Sequence, residues 1–190
     1  MLPGFVAATI AGLASSVSTA ALGHDLEGTA LRARSCDSET ESLLCYTGAK
    51  GMSQDVTVAD VTFIAKYLRA YGRQTKPGRF FTMNAKDTQG CGEWTVYSRR
   101  STLVTIKHID DRIDSSVLFE DIATTIDGGE KATAEEQLNF LLGCGTDGGA
   151  FTVQANLTNP AYADAAYVGA GYKTGGLLVK VVKNTEQEEV

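Results

Sequence analysis

Four cysteines, Cys36, Cys45, Cys91 and Cys144, constrain this chain more than any other feature. An even set in an exported domain reads as two disulfide bridges that the fold must accommodate. Export is suggested by the first residues. From Phe5 to Val17 the chain is small and apolar without a charge, and Ser18-Thr19-Ala20-Ala21 then offers a cleavage site after Ala20. That apolar run is about 13 residues against the about 20 that span a bilayer, so residues 1–20 read as a signal peptide. The alternative is an N-terminal helix, since no Lys or Arg precedes the run. Residues 21–35 form a polar leader ending in Leu31-Arg32-Ala33-Arg34, either a plain flexible segment or a pro-segment trimmed after Arg34. Residues 36–183 are then expected to form a single globular domain, with 184–190 a flexible acidic tail.

A tetrahedral zinc site needs close pairs such as Cys-x-x-Cys, which these spacings lack, so no metal is expected. Four cysteines allow three connectivities. The expected one joins Cys36 to Cys45 across a short loop and Cys91 to Cys144 across a long one, each of the latter preceding a strand.

The formal net charge is −6, and Lys and Arg are scattered. Such a field repels a phosphate backbone, which argues against nucleic acid and anionic membrane surfaces as partners. No later stretch has the length of a membrane-spanning helix.

Thr57, with Asp60 three positions on, resembles a helix start, and Val61, Ile64, Ala65 and Leu68 repeat at helical spacing up to Gly72. After the turn Lys76-Pro77-Gly78, residues 79–84 read as a strand. Trp94–Ser98 and Thr102–Ile109 read as a hairpin, being rich in β-branched and aromatic residues. Asp114 or Ser115 caps a second helix presenting Leu118, Ile122, Thr125 and Ile126, and Thr133 with Glu136 opens a third that carries Leu138, Leu141 and Leu142. A strand over 150–157, a short helix from Pro160 to Gly169 and a strand over 176–183 complete the order. In the last strand Leu177, Val179 and Val181 alternate with Leu178, Lys180 and Val182. The connections are too short for most consecutive strands to lie parallel. The fold class is therefore α+β, a mainly antiparallel sheet of about five strands with helices packed on one face, stapled by disulfides.

Residues able to do chemistry are few. Outside the leader, with its His24, the sole histidine is His108, inside a predicted strand with Asp110 and Asp111 nearby. Ser98, Ser101 and Ser116 exist, but without a nucleophile elbow. Glu93, Asp110, Asp111, Glu120 and Asp121 supply carboxylates without a preferred pair. Asp110-Asp111 with Asp114 lacks the Gly and distant Glu of a calcium loop and reads as a turn with a helix cap. The glycine-rich run from Gly143 to Gly149 follows a helix instead of preceding one and has no Lys after it, so it reads as a disulfide-anchored turn and not a phosphate cradle. No catalytic residue, metal ligand or cofactor is assigned. Trp94 is expected to pack in the core beside the Cys91 disulfide, a sugar-stacking platform being the alternative. Asn156-Leu157-Thr158 is the one glycosylation acceptor, and Asn156 is its candidate site.

Taken with the leader and the cysteines, Cys91-Gly92-Glu93-Trp94, Phe119-Glu120-Asp121-Ile122-Ala123 and Cys144-Gly145-Thr146-Asp147-Gly148-Gly149 resemble a small secreted protein of filamentous fungi. In element order from Val58 to Lys183 the chain distantly resembles the killer-toxin-like and necrosis-inducing extracellular effectors. That resemblance implies a disulfide-bonded α/β sandwich acting on host or competitor cells. The expected function is a secreted, non-enzymatic effector whose activity lies in surface binding to a protein or glycan outside the producing cell. The alternatives are a secreted hydrolase built on His108 and a carbohydrate-binding module built on Trp94 and exposed tyrosines.

Overall fold

The computed structural model describes residues 39–48, 51–88 and 91–185. The expected signal peptide and leader, Cys36 and residues 186–190 lie outside the described residues. The elements run β1 (Leu44–Cys45), α1 (Val58–Gly72), β2 (Phe80–Met83), β3 (Trp94–Arg99), β4 (Thr102–His108), β5 (Ser115–Leu118), α2 (Phe119–Asp127), α3 (Ala134–Gln137), β6 (Gly149–Thr152), α4 (Ala165–Gly169) and β7 (Leu177–Lys183). Five strands form one antiparallel sheet in the order β1-β6-β7-β4-β3, and β2 pairs with β5 in a second, two-stranded sheet. The α+β class is thus as the sequence implied. No helix among the described residues is long and apolar enough to cross a membrane.

Alternation along the central strands decides what the sheet buries. Val104 and Ile106 on β4, with Leu177, Val179 and Val181 on β7, share one face and meet Ile64 and Leu68 of α1 and Ile122 and Ile126 of α2 in the core. Lys180, on the opposite face, is ion-paired with Glu39 and Glu93. Helix α1 starts where Thr57 accepts the Asp60 amide, and Thr57 donates its hydroxyl to the Asp60 carboxylate at 2.6 Å. The two long helices close together at Gly72, where an added Cβ would lie 3.1 Å from the Glu120 amide nitrogen and 3.2 Å from the Phe119 Cβ. Arg69 of α1 and Asp127 at the end of α2 then lock them with two buried hydrogen bonds of 2.9 and 2.6 Å.

The structure corrects several sequence expectations. Ser115–Leu118 is not the first turn of a helix. It pairs with β2, Phe80 opposite Leu118 and Met83 opposite Ser115, and α2 begins only at Phe119. Pairing with a neighbour overrides the capping signal of Asp114, whose carboxylate instead accepts the Ala85 amide at 2.8 Å. Thr133 and Glu136 do form a capping box, but α3 is one turn long. Leu138 is exposed, and the chain passes at Phe140 into a 3-10 segment over Leu141–Asp147. The strand expected over 150–157 stops at Thr152. The helix expected from Pro160 is broken by extended backbone at Asp164 into a 3-10 turn and α4. Asn184 is no part of a free tail: it is buried, and its amide donates to the Ser101 carbonyl at 2.8 Å.

The disulfide expectation also fails in its pairing. Cys45 is bonded to Cys144, with Cα atoms 5.2 Å apart, so neither Cys36–Cys45 nor Cys91–Cys144 exists. The cause is β1, a strand of two residues with no periodicity of its own: Cys45 sits opposite Gly149 on β6 and so lies beside the 3-10 segment that carries Cys144. Only glycine fits at 149, because a Cβ there would lie 2.5 Å from the Leu44 carbonyl oxygen and 3.0 Å from the Cys144 sulfur. Cys91 is also disulfide-bonded.

Candidate binding surface

Helix geometry supplies the first part of the surface. Phe63, Tyr67 and Tyr71 follow one another at four-residue intervals and so form a row along α1, beside the buried stripe of Ile64 and Leu68. Their rings are held nearly parallel, at 14° between Phe63 and Tyr67 and 12° between Tyr67 and Tyr71. Each ring has a cover from another element. The Arg99 guanidinium lies 3.4 Å from the Phe63 ring centre, Tyr97 stacks on Tyr67 at 4.1 Å, and Arg79 lies 4.0 Å from the centre of Tyr71. Arg99 also donates to Asp60 Oδ1 at 2.8 Å, and Arg79 to the Tyr71 hydroxyl at 2.7 Å, so both cations are held by two contacts.

The edge strand β3 supplies the second part. Trp94 pairs with Ile106 and Tyr97 with Val104, so the register shifts by one between Thr95 and Tyr97. Val96 is the extra residue of a β-bulge. The row continues from Tyr71 to Phe119 at 4.9 Å, from Phe119 to Phe81 at 5.9 Å and from Phe81 to Trp94 at 6.4 Å. Seven rings therefore make one continuous aromatic belt joining α1, β2, α2 and the edge of the main sheet. The belt is open to solvent at three places: Phe63 is 37% exposed, Tyr67 38% and Trp94 36%. Isolated exposed apolar side chains are ordinary, whereas a contiguous fixed patch marks a contact surface. Trp94 is thus a rim residue of the belt, not the core residue expected from the sequence.

The chemical candidates sit elsewhere and are not gathered. His108 is fully buried, its Nδ1 2.6 Å from the Thr88 hydroxyl. Burial holds its pKa below the ordinary histidine value, against the opposing pull of Asp111, Asp110, Asp114 and the Met83 backbone. A substrate cannot reach it without opening the fold. Ser116 hydrogen-bonds Thr82 in the small sheet, and Ser98 lies exposed on β3. Asp110 is held down to about 2 by hydrogen bonds from Arg112. Glu120 pairs with Arg73, and Glu93 accepts from Thr105 and is paired with Lys180. Asp121 is buried under Tyr162, which donates its hydroxyl proton to it, and burial raises the Asp121 pKa. No group of three or more His, Cys, Asp or Glu among the described residues is placed to hold a metal ion.

Asn156 is exposed just past β6, and its side-chain oxygen accepts from both the amide and the hydroxyl of Thr158, at 3.1 and 2.7 Å. Of the belt, only Trp94 and unspecified tyrosines stand out in the sequence as candidate contact residues. The recurrence of an aromatic residue at 63, 67 and 71 was the available signal. The Val96 bulge that turns Tyr97 toward it left none.

The chain matches no known protein family, no curated protein and no solved structure.

Proposed function

We propose that this protein is a secreted, non-enzymatic binding protein of effector type, acting on a target outside the producing cell through the aromatic belt. One observation carries the reading. Phe63, Tyr67 and Trp94 are large and partly exposed, and each is held by a neighbour, Phe63 by the Arg99 guanidinium, Tyr67 by the stacked Tyr97 ring and Trp94 by an edge contact with Phe81, so little side-chain freedom remains to be lost on contact. Aromatic residues and arginine are also the residue types enriched at the energetic centres of protein interfaces. The apolar start of the chain and the disulfide bonds support an extracellular setting. The resemblance to fungal extracellular effectors supplies the kind of activity, action on host or competitor cells.

A glycan is the second reading, favoured by the near-parallel setting of the partly exposed Phe63 and Tyr67 rings, since parallel exposed rings offer platforms for the apolar faces of sugars.

The test is to apply the purified mature protein to plant tissue and to competing microbes, beside a variant carrying Phe63→Ser, Tyr67→Ser and Trp94→Ser. A response or cell retention with the wild type that the variant loses supports the reading. No response and no retention with the wild type, or full activity in the variant, overturns it.

A further inference from the structure

Alternation along β2 sends Phe81 to the aromatic belt and Phe80 and Thr82 to the other face of the small sheet. On that face Phe80, Thr82 and Ser116 meet Tyr167, Tyr172 and Asp164 around a cavity of about 330 Å³. A cavity of this size with rings for walls and a few convergent polar groups has the form of a small-molecule site. Its walls are fixed. Tyr167 donates its hydroxyl proton to the Ser116 carbonyl at 2.8 Å and stacks on Phe80 at 5.1 Å, and Tyr172 lies 5.8 Å from Tyr167.

The polar groups define what fits. The Thr82 and Ser116 hydroxyls are 2.8 Å apart and so use one of their two protons on each other. The other proton and the remaining lone pairs are left for a ligand hydroxyl. Among the described residues, Asp164 is the one charged group lining the cavity. Its Oδ1 caps α4 by accepting the Ala166 amide at 2.8 Å, and its Oδ2 takes no hydrogen bond among the described residues. No cation among the described residues lines the cavity, which disfavours an anion. Ring faces and a carboxylate together attract an ammonium ion. We propose that this cavity binds a small organic amine, with its apolar or aromatic body against Phe80, Tyr167 and Tyr172. Its ammonium meets Asp164, and a ring hydroxyl meets the Thr82–Ser116 pair.

Isothermal titration of the full mature protein with tyramine, 2-phenylethylamine and the neutral 2-phenylethanol tests this. Tyramine is expected to bind tightest and 2-phenylethanol about tenfold or more weaker than 2-phenylethylamine. Asp164→Asn keeps a helix-capping side chain, so the fold stays intact while the preference for amine over alcohol disappears. Thr82→Val is expected to weaken tyramine about fivefold and to leave 2-phenylethylamine unchanged. No binding of either amine at millimolar concentration, equal binding of amine and alcohol, or an unaltered preference in a folded Asp164→Asn protein would each overturn the proposal.

Discussion

Trp94 and Tyr97 stand three residues apart on one strand and yet face the same side of the sheet. Trp94 is opposite Ile106 and Tyr97 opposite Val104, and those two core residues are two positions apart on β4. In a regular strand, residues three apart point to opposite faces. The bulge at Val96 absorbs the odd residue and brings both rings to the helix-covered face, where Tyr97 completes the stack on Tyr67. Deleting Val96 leaves Trp94 and Tyr97 two positions apart on a regular strand, opposite the same partners on β4, so both rings are expected to stay on the belt side. Survival of the Tyr67–Tyr97 contact by NMR in the deletion variant would show it, and loss of that contact would count against Val96 as the extra residue.

The Cys45–Cys144 bond closes a loop with a sequence separation of 99. In the chain-entropy model a loop of that length stabilises the folded state by about 4 to 5 kcal/mol. Replacing both cysteines by Ala should lower stability by a few kcal/mol in urea unfolding at pH 7. Peptide mapping without reduction should recover a Cys45–Cys144 peptide and none that joins Cys91 to Cys144.

Arg69 and Asp127 are a buried, doubly hydrogen-bonded pair linking α1 to α2. Removing one partner leaves an uncompensated charge, so Arg69→Ala or Asp127→Ala should each cost about 3 to 5 kcal/mol. The double change Arg69→Met with Asp127→Leu should recover much of that loss, because it removes the charge with the ion pair. Equilibrium unfolding of the set checks it, and additive losses would contradict the pairing.

His108 gives the stability curve a definite sign. Its folded pKa lies below the unfolded value of 6.5, so the neutral ring favours the folded state. That contribution is present above the unfolded pKa and lost as pH falls through the folded one. Between pH 7.5 and pH 5 the wild type should lose more stability than His108→Gln, which has no titrating ring. Parallel urea midpoints at the two pH values measure this, and equal losses would show that the acids alone set the slope.

Asn156 is exposed and held by Thr158 in a local turn that leaves its amide nitrogen outside those two hydrogen bonds. Expression through a eukaryotic secretory pathway should yield one N-linked glycan, removed by Asn156→Gln and by Thr158→Val. Intact-mass measurement before and after enzymatic deglycosylation decides it.

What the sequence revealed follows from which signals are local. Helix α1, the β3–β4 hairpin and β7 were legible because their apolar spacing runs uninterrupted through seven or more residues in α1 and β4, and β7 alternates along its length. β1 and β5 were not, since the two residues of β1 carry no periodicity of their own and at β5 the capping signal of Asp114 and Ser115 competes with a pairing that only β2 supplies. The disulfide pairing failed for the same reason, as Cys45 reaches Cys144 only because β1 adds to β6. The belt was half legible. Phe63, Tyr67 and Tyr71 declare themselves by spacing, whereas Phe81, Phe119 and Trp94 are joined by tertiary contacts alone.

The most direct measurement is a binding isotherm on intact target-cell surface material, with wild type beside the Phe63→Ser, Tyr67→Ser, Trp94→Ser protein, both verified as folded by circular dichroism. The belt account predicts saturable retention of the wild type and a loss of about tenfold or more in the variant, as expected when several contact aromatics are removed. Equal retention of the two proteins would place the contact surface elsewhere and contradict it.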